Sequence, residues 1–220
     1  LAAIRRIGER GITALFGEST GADKPGQGVS ERTVFENLEK LFRSSEGRIF
    51  ASLNSAMLNR IQQLLELANQ YRRKVVIEGF SMRTNVEIAR ELKYIEVPKG
   101  LIIPAEQSHQ LPPAQVLVLC TGAQAEEGSV LMRIVNREHR SLRIEPGDTV
   151  IFSSSVIPGN ERAIENLKDY LARQGAEIYH NQTMDIHASG HPRQEDLKEM
   201  LRAVQPEFFV PHHGNYFNRM

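Results

Sequence analysis

Five of the chain's seven histidines fall after residue 179. The densest cluster is His187-Ala188-Ser189-Gly190-His191-Pro192. Gly190 permits a tight turn, and Pro192 suits the first position of a helix, where its missing N–H would have no partner anyway. This spacing places His191 at a helix mouth beside free backbone N–H groups, with the Ser189 hydroxyl adjacent. Such a corner binds anions, phosphate above all, next to one or two imidazoles at a reacting centre. The plainer alternative is an N-cap in a loop. Pro211-His212-His213-Gly214 follows an apolar run. A histidine at a strand end with glycine behind it can project toward a metal, although one or two ligands do not make a zinc site, and a surface turn would look the same. Glu18 also ends an apolar run. A carboxylate there can accept a hydrogen bond from an imidazole and fix its tautomer; otherwise it is a surface Glu in a turn.

Several other chemistries are excluded. Gly26-Gln27-Gly28 follows no strand, and Glu31 stands where a dinucleotide loop needs its third glycine. Thr121-Gly122 is not followed by Gly-Lys-Ser/Thr, so it is no Walker loop. Arg5-Arg6 and Arg72-Arg73-Lys74 read as solvated faces. Cys120 is the single cysteine, which rules out an internal disulfide and a cysteine-based zinc site and fits a reducing, cytoplasmic setting.

These residues need a scaffold, and the composition supplies one. The chain has 220 residues, 40% hydrophobic and 25% charged, with 27 Lys+Arg against 27 Asp+Glu. That is a globular composition, not a disordered, collagen-like or coiled-coil one. Zero formal net charge announces no basic surface, so nucleic acid would have to be held by local groups or a metal. No apolar run approaches the ~18–20 residues that span a bilayer, and no signal peptide is visible.

Strand and helix signals alternate. Strands are expected at 12–16, 48–53, 74–77, 101–103, 116–119, 149–152, 176–179 and 208–210. Helices are expected from Ser30 to Gly47, after a Ser55 cap, around Val86–Leu92, from Asn160 to Gly175 and around Leu197–Val204. Residues 21–29 read as a linker. Apolar strands alternating with helices imply an α/β fold, a Rossmann-like parallel sheet with helices on both faces. Ligands of such sheets sit at the strands' carboxyl ends. Here those ends carry Gly79-Phe80-Ser81, Thr121-Gly122 and Ser153-Ser154-Ser155.

Taken in order, the segments resemble ribonuclease J-like metallo-β-lactamase/β-CASP nucleases. Glu18-Ser19-Thr20, His187-Ala188-Ser189-Gly190-His191 with Gln194-Glu195-Asp196-Leu197-Lys198, and Pro211-His212-His213-Gly214 resemble three motifs of that family. Pro146-Gly147-Asp148 through Ser155, Ile157-Pro158-Gly159-Asn160-Glu161, Asn59-Arg60-Ile61-Gln62-Gln63 and Arg73-Lys74-Val75 are similar to it as well. The resemblance implies a β-CASP domain at 30–180, inserted between metallo-β-lactamase (αββα) remnants at 1–29 and 181–220. It implies a cytoplasmic, metal-dependent ribonuclease acting 5′ to 3′ or internally, with RNA as partner, no membrane, and a homodimer or homotetramer. Zinc, or else manganese or magnesium, would occupy a two-metal site in the full-length protein. The family's His-x-His-x-Asp-His stretch is expected upstream of Leu1. The chain is thus read as a piece of a longer protein, inactive and metal-free by itself. Residue by residue, Glu18 and His191 match the catalytic acid–imidazole pair and His213 a metal ligand. His187, Ser189, Gly190, Ser81 and Ser153 match phosphate- or RNA-binding positions. Asn59 stands where the family often has His, Phe80 where Arg is common, and Ala123-Gln124-Ala125 replaces Ser-Gln-Gly. His212 and Asn215 also depart from the pattern. A catalytically inactive RNA-binding or assembly relative is the alternative these departures suggest; a Rossmann-like small-molecule module is a third.

Overall fold

A computed structural model describes residues 1–219. In chain order the strands are β1 (Ala14–Glu18), β2 (Ile49–Ser52), β3 (Lys74–Glu78), β4 (Val116–Cys120), β5 (Thr149–Phe152), β6 (Glu177–His180) and β7 (Phe208–His212). The helices are α1 (Ala2–Gly8), α2 (Glu31–Ser44), α3 (Leu58–Gln70), α4 (Phe80–Glu91), α5 (Val130–Val135), α6 (Glu161–Arg173), α7 (Gln194–Val204) and α8 (Tyr216–Arg219). They form two compact units. One joins residues 1–30 to the segment from Ala188 onward, and the other runs from Glu31 to His187.

The second unit is the α/β fold expected. Its sheet has the order β3-β4-β2-β5-β6, and every pairing is parallel. All residues of β2, β4 and β5 are buried, as continuous apolar strands must be when both faces of a parallel sheet are covered. Helical spacing supplies the cover. Val34, Leu38, Leu41 and Phe42 of α2, Ile61, Leu64, Leu65 and Ala68 of α3, and Ile164, Leu167 and Leu171 of α6 are all buried. The start of β5 is tied to β2 by a buried ion pair. Arg48 donates from Nε to Asp148 Oδ1 at 2.9 Å and from Nη2 to Asp148 Oδ2 at 2.6 Å. Gly47 is required beside it, because a Cβ there would lie 2.1 Å from the Gly147 carbonyl oxygen.

Some expectations change. Residues 101–103 form no strand, only an isolated bridge from Ile102 to Val75. Pro98 and Pro104 flank it, and proline cannot extend a ladder. Helix α5 was not anticipated, since it is six residues long and follows a glycine loop. Ser55 is not the cap of α3. Met57 holds that position, and the Ser55 hydroxyl accepts from Asn85 Nδ2. Arg73 is not solvated. It is 2% exposed, donates to the carbonyls of Ser45, Gly47 and Val116, and burial pushes its pKa down to about 10. Two neighbouring basic residues gave no hint that one of them caps backbone carbonyls inside.

In the first unit β1 pairs with β7 in parallel, from Ala14 opposite Phe208 to Glu18 opposite His212. The strand therefore lies two residues later than the apolar run suggested. It is not buried either: Phe16 is 69% exposed, because a two-stranded sheet leaves faces without cover in this unit. Helix α7 starts at Gln194, so Pro192 is not its first residue. The Asp196 carboxylate caps it, accepting from Arg193 N–H at 2.9 Å and also from Gly28 N–H at 2.8 Å. Among the described residues no helix is long and apolar enough to cross a membrane.

Candidate functional site

In the first unit the pairing of β1 with β7 ends at Glu18 opposite His212, so the residues just beyond face each other. His213 takes a left-handed backbone, φ +66°, which is uncommon for a side chain with a Cβ and turns the ring out of the strand's alternation. Its nitrogen Nδ1 lies 2.8 Å from Glu18 Oε2. His191 Nδ1 lies 3.4 Å from the other oxygen, Oε1. The two imidazole centroids are 5.2 Å apart. The carboxylate thus stands between two rings whose sequence positions are far apart.

The Glu18-Ser19-Thr20 segment builds this corner. The Ser19 hydroxyl donates to the His212 carbonyl at 2.8 Å and accepts from Gly214 N–H at 3.2 Å. Thr20 N–H donates to Glu18 Oε1 at 2.7 Å, and the Thr20 hydroxyl to the His213 carbonyl at 3.4 Å. A Cβ on Gly214 would sit 2.6 Å from Ser19 Oγ, so glycine is needed where the two turns touch. Partial burial opposes ionisation of Glu18, but the hydrogen bonds from Thr20 and His213 outweigh it and hold its pKa at about 2. The carboxylate is therefore charged at any working pH.

His191 faces this carboxylate and not the N–H groups of a helix, which corrects the anion pocket the Pro192 spacing implied. Ser189 Oγ accepts from His191 N–H at 3.1 Å, closing the turn at Gly190. Among the described residues, Glu18, His191 and His213 are the one group of three His, Cys, Asp or Glu side chains whose ligand atoms all lie within 4.8 Å of one another. The donor set fits a borderline metal ion. With Nδ1 of His213 engaged by a carboxylate, the ring's Nε2 is the donor left for a metal, the usual arrangement in which an outer carboxylate fixes the ligand's tautomer.

The second unit holds a cavity of about 610 Å³ at the carboxyl ends of its strands. It lies where chain direction diverges, since β2 leads toward β3 on one side and β5 toward β6 on the other. Ser55, Ser81, Thr121, Ser129, Ser154, Ser155 and His187 are among its lining residues. Ser81 is placed as the sequence suggested. Ser153 is not: it is fully buried, and its hydroxyl donates to the Ile186 carbonyl at 2.7 Å. Its neighbours Ser154 and Ser155 line the cavity in its place. His187 is 8% exposed, and its Nδ1 has no partner, nor does Ser129 Oγ. Burial pushes the His187 pKa down, and the nearby Arg60 guanidinium pushes it further, against a smaller pull from Glu31. Arg60 is fully buried beneath it, bonded to Glu31 Oε2 at 2.8 Å and the Ile186 carbonyl at 3.3 Å. Arg60, Ser19 and Ser129 were not singled out as site residues. Ser19, inside the Glu18-Ser19-Thr20 motif, and Arg60, inside Asn59-Arg60-Ile61-Gln62-Gln63, carried a signal that could have been read; Ser129 did not.

Residues 46–171 match the family model described as ribonuclease J, beta-CASP domain. The chain belongs to the ribonuclease J family. Residues 182–217 match a second family, described as the Zn-dependent metallo-hydrolase RNA specificity domain. Ribonuclease J of Synechocystis is 39% identical over 216 residues, 98% of this chain and 34% of that protein. Ribonuclease J of Thermus thermophilus is 39% identical over 220 residues, all of this chain and 38% of that protein. Ribonuclease J of Helicobacter pylori strain J99 is 38% identical over 213 residues, 97% and 31% respectively. The chain therefore spans about a third of the length of the curated relatives it matches.

Proposed function

We propose that this chain is the β-CASP-bearing part of a metal-dependent, RNA-hydrolysing enzyme. The observation that carries the reading is the convergence of Glu18, His191 and His213, from three separate segments, on one carboxylate. The unit from Glu31 to His187 would be the β-CASP domain, and the unit built on β1 and β7 a portion of the metallo-β-lactamase domain. His213 would ligate the metal through Nε2, zinc by its donor set or manganese or magnesium in its place. Bound there, a metal would supply charge to the scissile phosphate and acidify a bound water.

The chain's own residues do the rest. Glu18 stays ionised and accepts the Nδ1 proton of His213, which holds that ring's tautomer. Its second oxygen faces His191 Nδ1 at 3.4 Å and orients that ring. A protonated His191 can then donate to the leaving oxygen of a phosphodiester. Ser189, Gly190 and His191 form one short turn, and the first two would hold a phosphate oxygen beside it. In the other unit Ser81, Ser154, Ser155 and His187 offer hydroxyls and a neutral imidazole to further phosphates. Three candidate groups fall short of a two-metal site, so hydrolysis requires the longer protein.

Full-length protein with Zn²⁺ or Mn²⁺ should degrade 5′-monophosphorylated RNA, and His191→Ala should abolish this. Wild-type rates in that variant would refute the role given to His191. Tight RNA binding without turnover by the wild type would favour the inactive-relative reading, which the altered positions Asn59 and Phe80 motivate.

A further inference from the structure

We propose that Phe80 is a stacking platform for one base of single-stranded RNA, set on the rim of the cavity at the carboxyl ends of the sheet. The inference rests on the RNA reading above and deepens it. Phe80 is 88% exposed, more than any other large hydrophobic side chain among the described residues. It is the first residue of α4, immediately after Gly79, whose φ is +107°. That turn is tightly held. A Cβ at Gly79 would meet Thr121 Oγ1 at 3.2 Å and Val130 Cγ2 at 3.3 Å. The ring is therefore bare but mounted on a rigid strand-to-helix corner.

The surroundings differ on its two sides. Ser81, the next residue, lines the large cavity with its serine and threonine hydroxyls and the nine-tenths buried His187 imidazole, whose Nδ1 has no partner. On the other side Phe80 itself lines a depression of about 350 Å³ with Arg133, Thr84, Glu87 and Arg83, whose guanidinium is paired with Glu78. Polar phosphate-binding groups, cations and an exposed aromatic face in one strip are what non-sequence-specific binding of a single strand requires. A protein partner would need a contiguous apolar patch. Here the next exposed apolar residues along α4, Ile88 and the C-cap Leu92, lie two and three turns further on. The ribonuclease J resemblance puts arginine at this position commonly. Phenylalanine keeps a flat face for a base and removes the charge, so the contact becomes one that salt does not weaken.

The difference in charge gives the test its signature. Binding of a fluorescein-labelled single-stranded RNA to full-length protein, in a His191→Ala background without added metal, is titrated across a series of KCl concentrations. Phe80→Ala should weaken binding about 5- to 150-fold, as expected for loss of one base stack, with the slope of log K against log[salt] unchanged. Phe80→Trp should retain affinity. Phe80→Arg should retain affinity with a slope steeper by about 0.7, one added phosphate contact on a single strand. Because the ring is exposed, melting temperatures of all three should match the parent. Affinity of Phe80→Ala within twofold of the parent would overturn the proposal while leaving the RNA reading in place. So would a loss of affinity accompanied by a shallower slope, or a change in sedimentation of the RNA-free protein, which would make the ring a protein contact. Failure of the parent to bind RNA at all would overturn both readings.

Discussion

Glu18→Gln is the change that most directly tests how the cluster works. The glutamine keeps the shape of the side chain but replaces one acceptor oxygen by an NH₂ donor and removes the charge. In the structure both carboxylate oxygens are engaged: Oε2 by His213 at 2.8 Å, and Oε1 by Thr20 N–H at 2.7 Å with His191 at 3.4 Å. The amide can serve only one side. If its oxygen stays on Thr20, its NH₂ meets His213 Nδ1, and that ring must give up its Nδ1 proton to Nε2, the atom a metal would need. A charged hydrogen bond contributes roughly 1.5–3 kcal/mol. The His213 side chain is 60% exposed, so solvent screening favours the lower figure. Outer-shell partners of metal-bound histidines typically affect affinity 10–100-fold, and about tenfold, or ~1.4 kcal/mol, is expected here. Zinc affinity of the full-length protein, measured by competition with a chromophoric chelator at pH 7.5, reads this directly. Glu18, with a pKa of about 2, is ionised throughout that assay. Affinity unchanged within a factor of two would refute the claim that Glu18 sets the His213 tautomer.

Three further outcomes follow from buried groups in the second unit. Asp148→Ala strands the Arg48 guanidinium, whose side chain is 7% exposed, with only the exposed Glu145 carboxylate at 3.2 Å as a charged partner. A loss of about 3 kcal/mol is expected in urea unfolding, the low end for a broken buried pair; a loss below about 1 kcal/mol would contradict it. Burial raises the Cys120 thiol to about 12, so it should resist a disulfide reagent at pH 8 until the protein is unfolded, and rapid native labelling would show the site open. His187 titrates low in the folded state, chiefly through burial. A depressed folded pKa means its contribution is complete above the unfolded value of about 6.5 and is lost as pH falls below it. His187→Gln should therefore flatten the loss of stability as pH falls below about 6.5, and identical slopes in the two proteins would refute the assignment.

The parallel sheet was legible because β2, β4 and β5 are continuous apolar runs, and such runs must be covered on both sides. Elements whose signals are short or borrowed were not. Helix α5 is too brief to show a period. Residues 101–103 had a strand's composition but sit between prolines at the sheet's edge. The boundary of β1 was set by its partner 194 positions away in register, Ala14 opposite Phe208, and not by its own apolar residues. At the site, Glu18, His191 and His213 could be named from motif resemblance, yet their mutual distances depend on that long-range register. The helix-mouth reading of His191 failed because Asp196, two positions into α7, caps the helix and moves its start past Pro192. Ser153 failed for a simpler reason: its N–H still bonds the Ser52 carbonyl and its hydroxyl the Ile186 carbonyl, so it stays buried at the end of β5 and the chain reaches the surface only at Ser154 and Ser155.

The hydrogen bond between Glu18 and His213 joins residues 195 positions apart, with an entire folded unit strung between them. Closing so long a disordered loop is costly, and the cost shrinks once the intervening chain is compact. During synthesis the last participant in the cluster leaves the ribosome only after the sheet from β2 to β6 has had time to form. Assembly of the centre is thereby tied to the emergence of His213. A product that stops short of His213 carries no assembled imidazole–carboxylate corner.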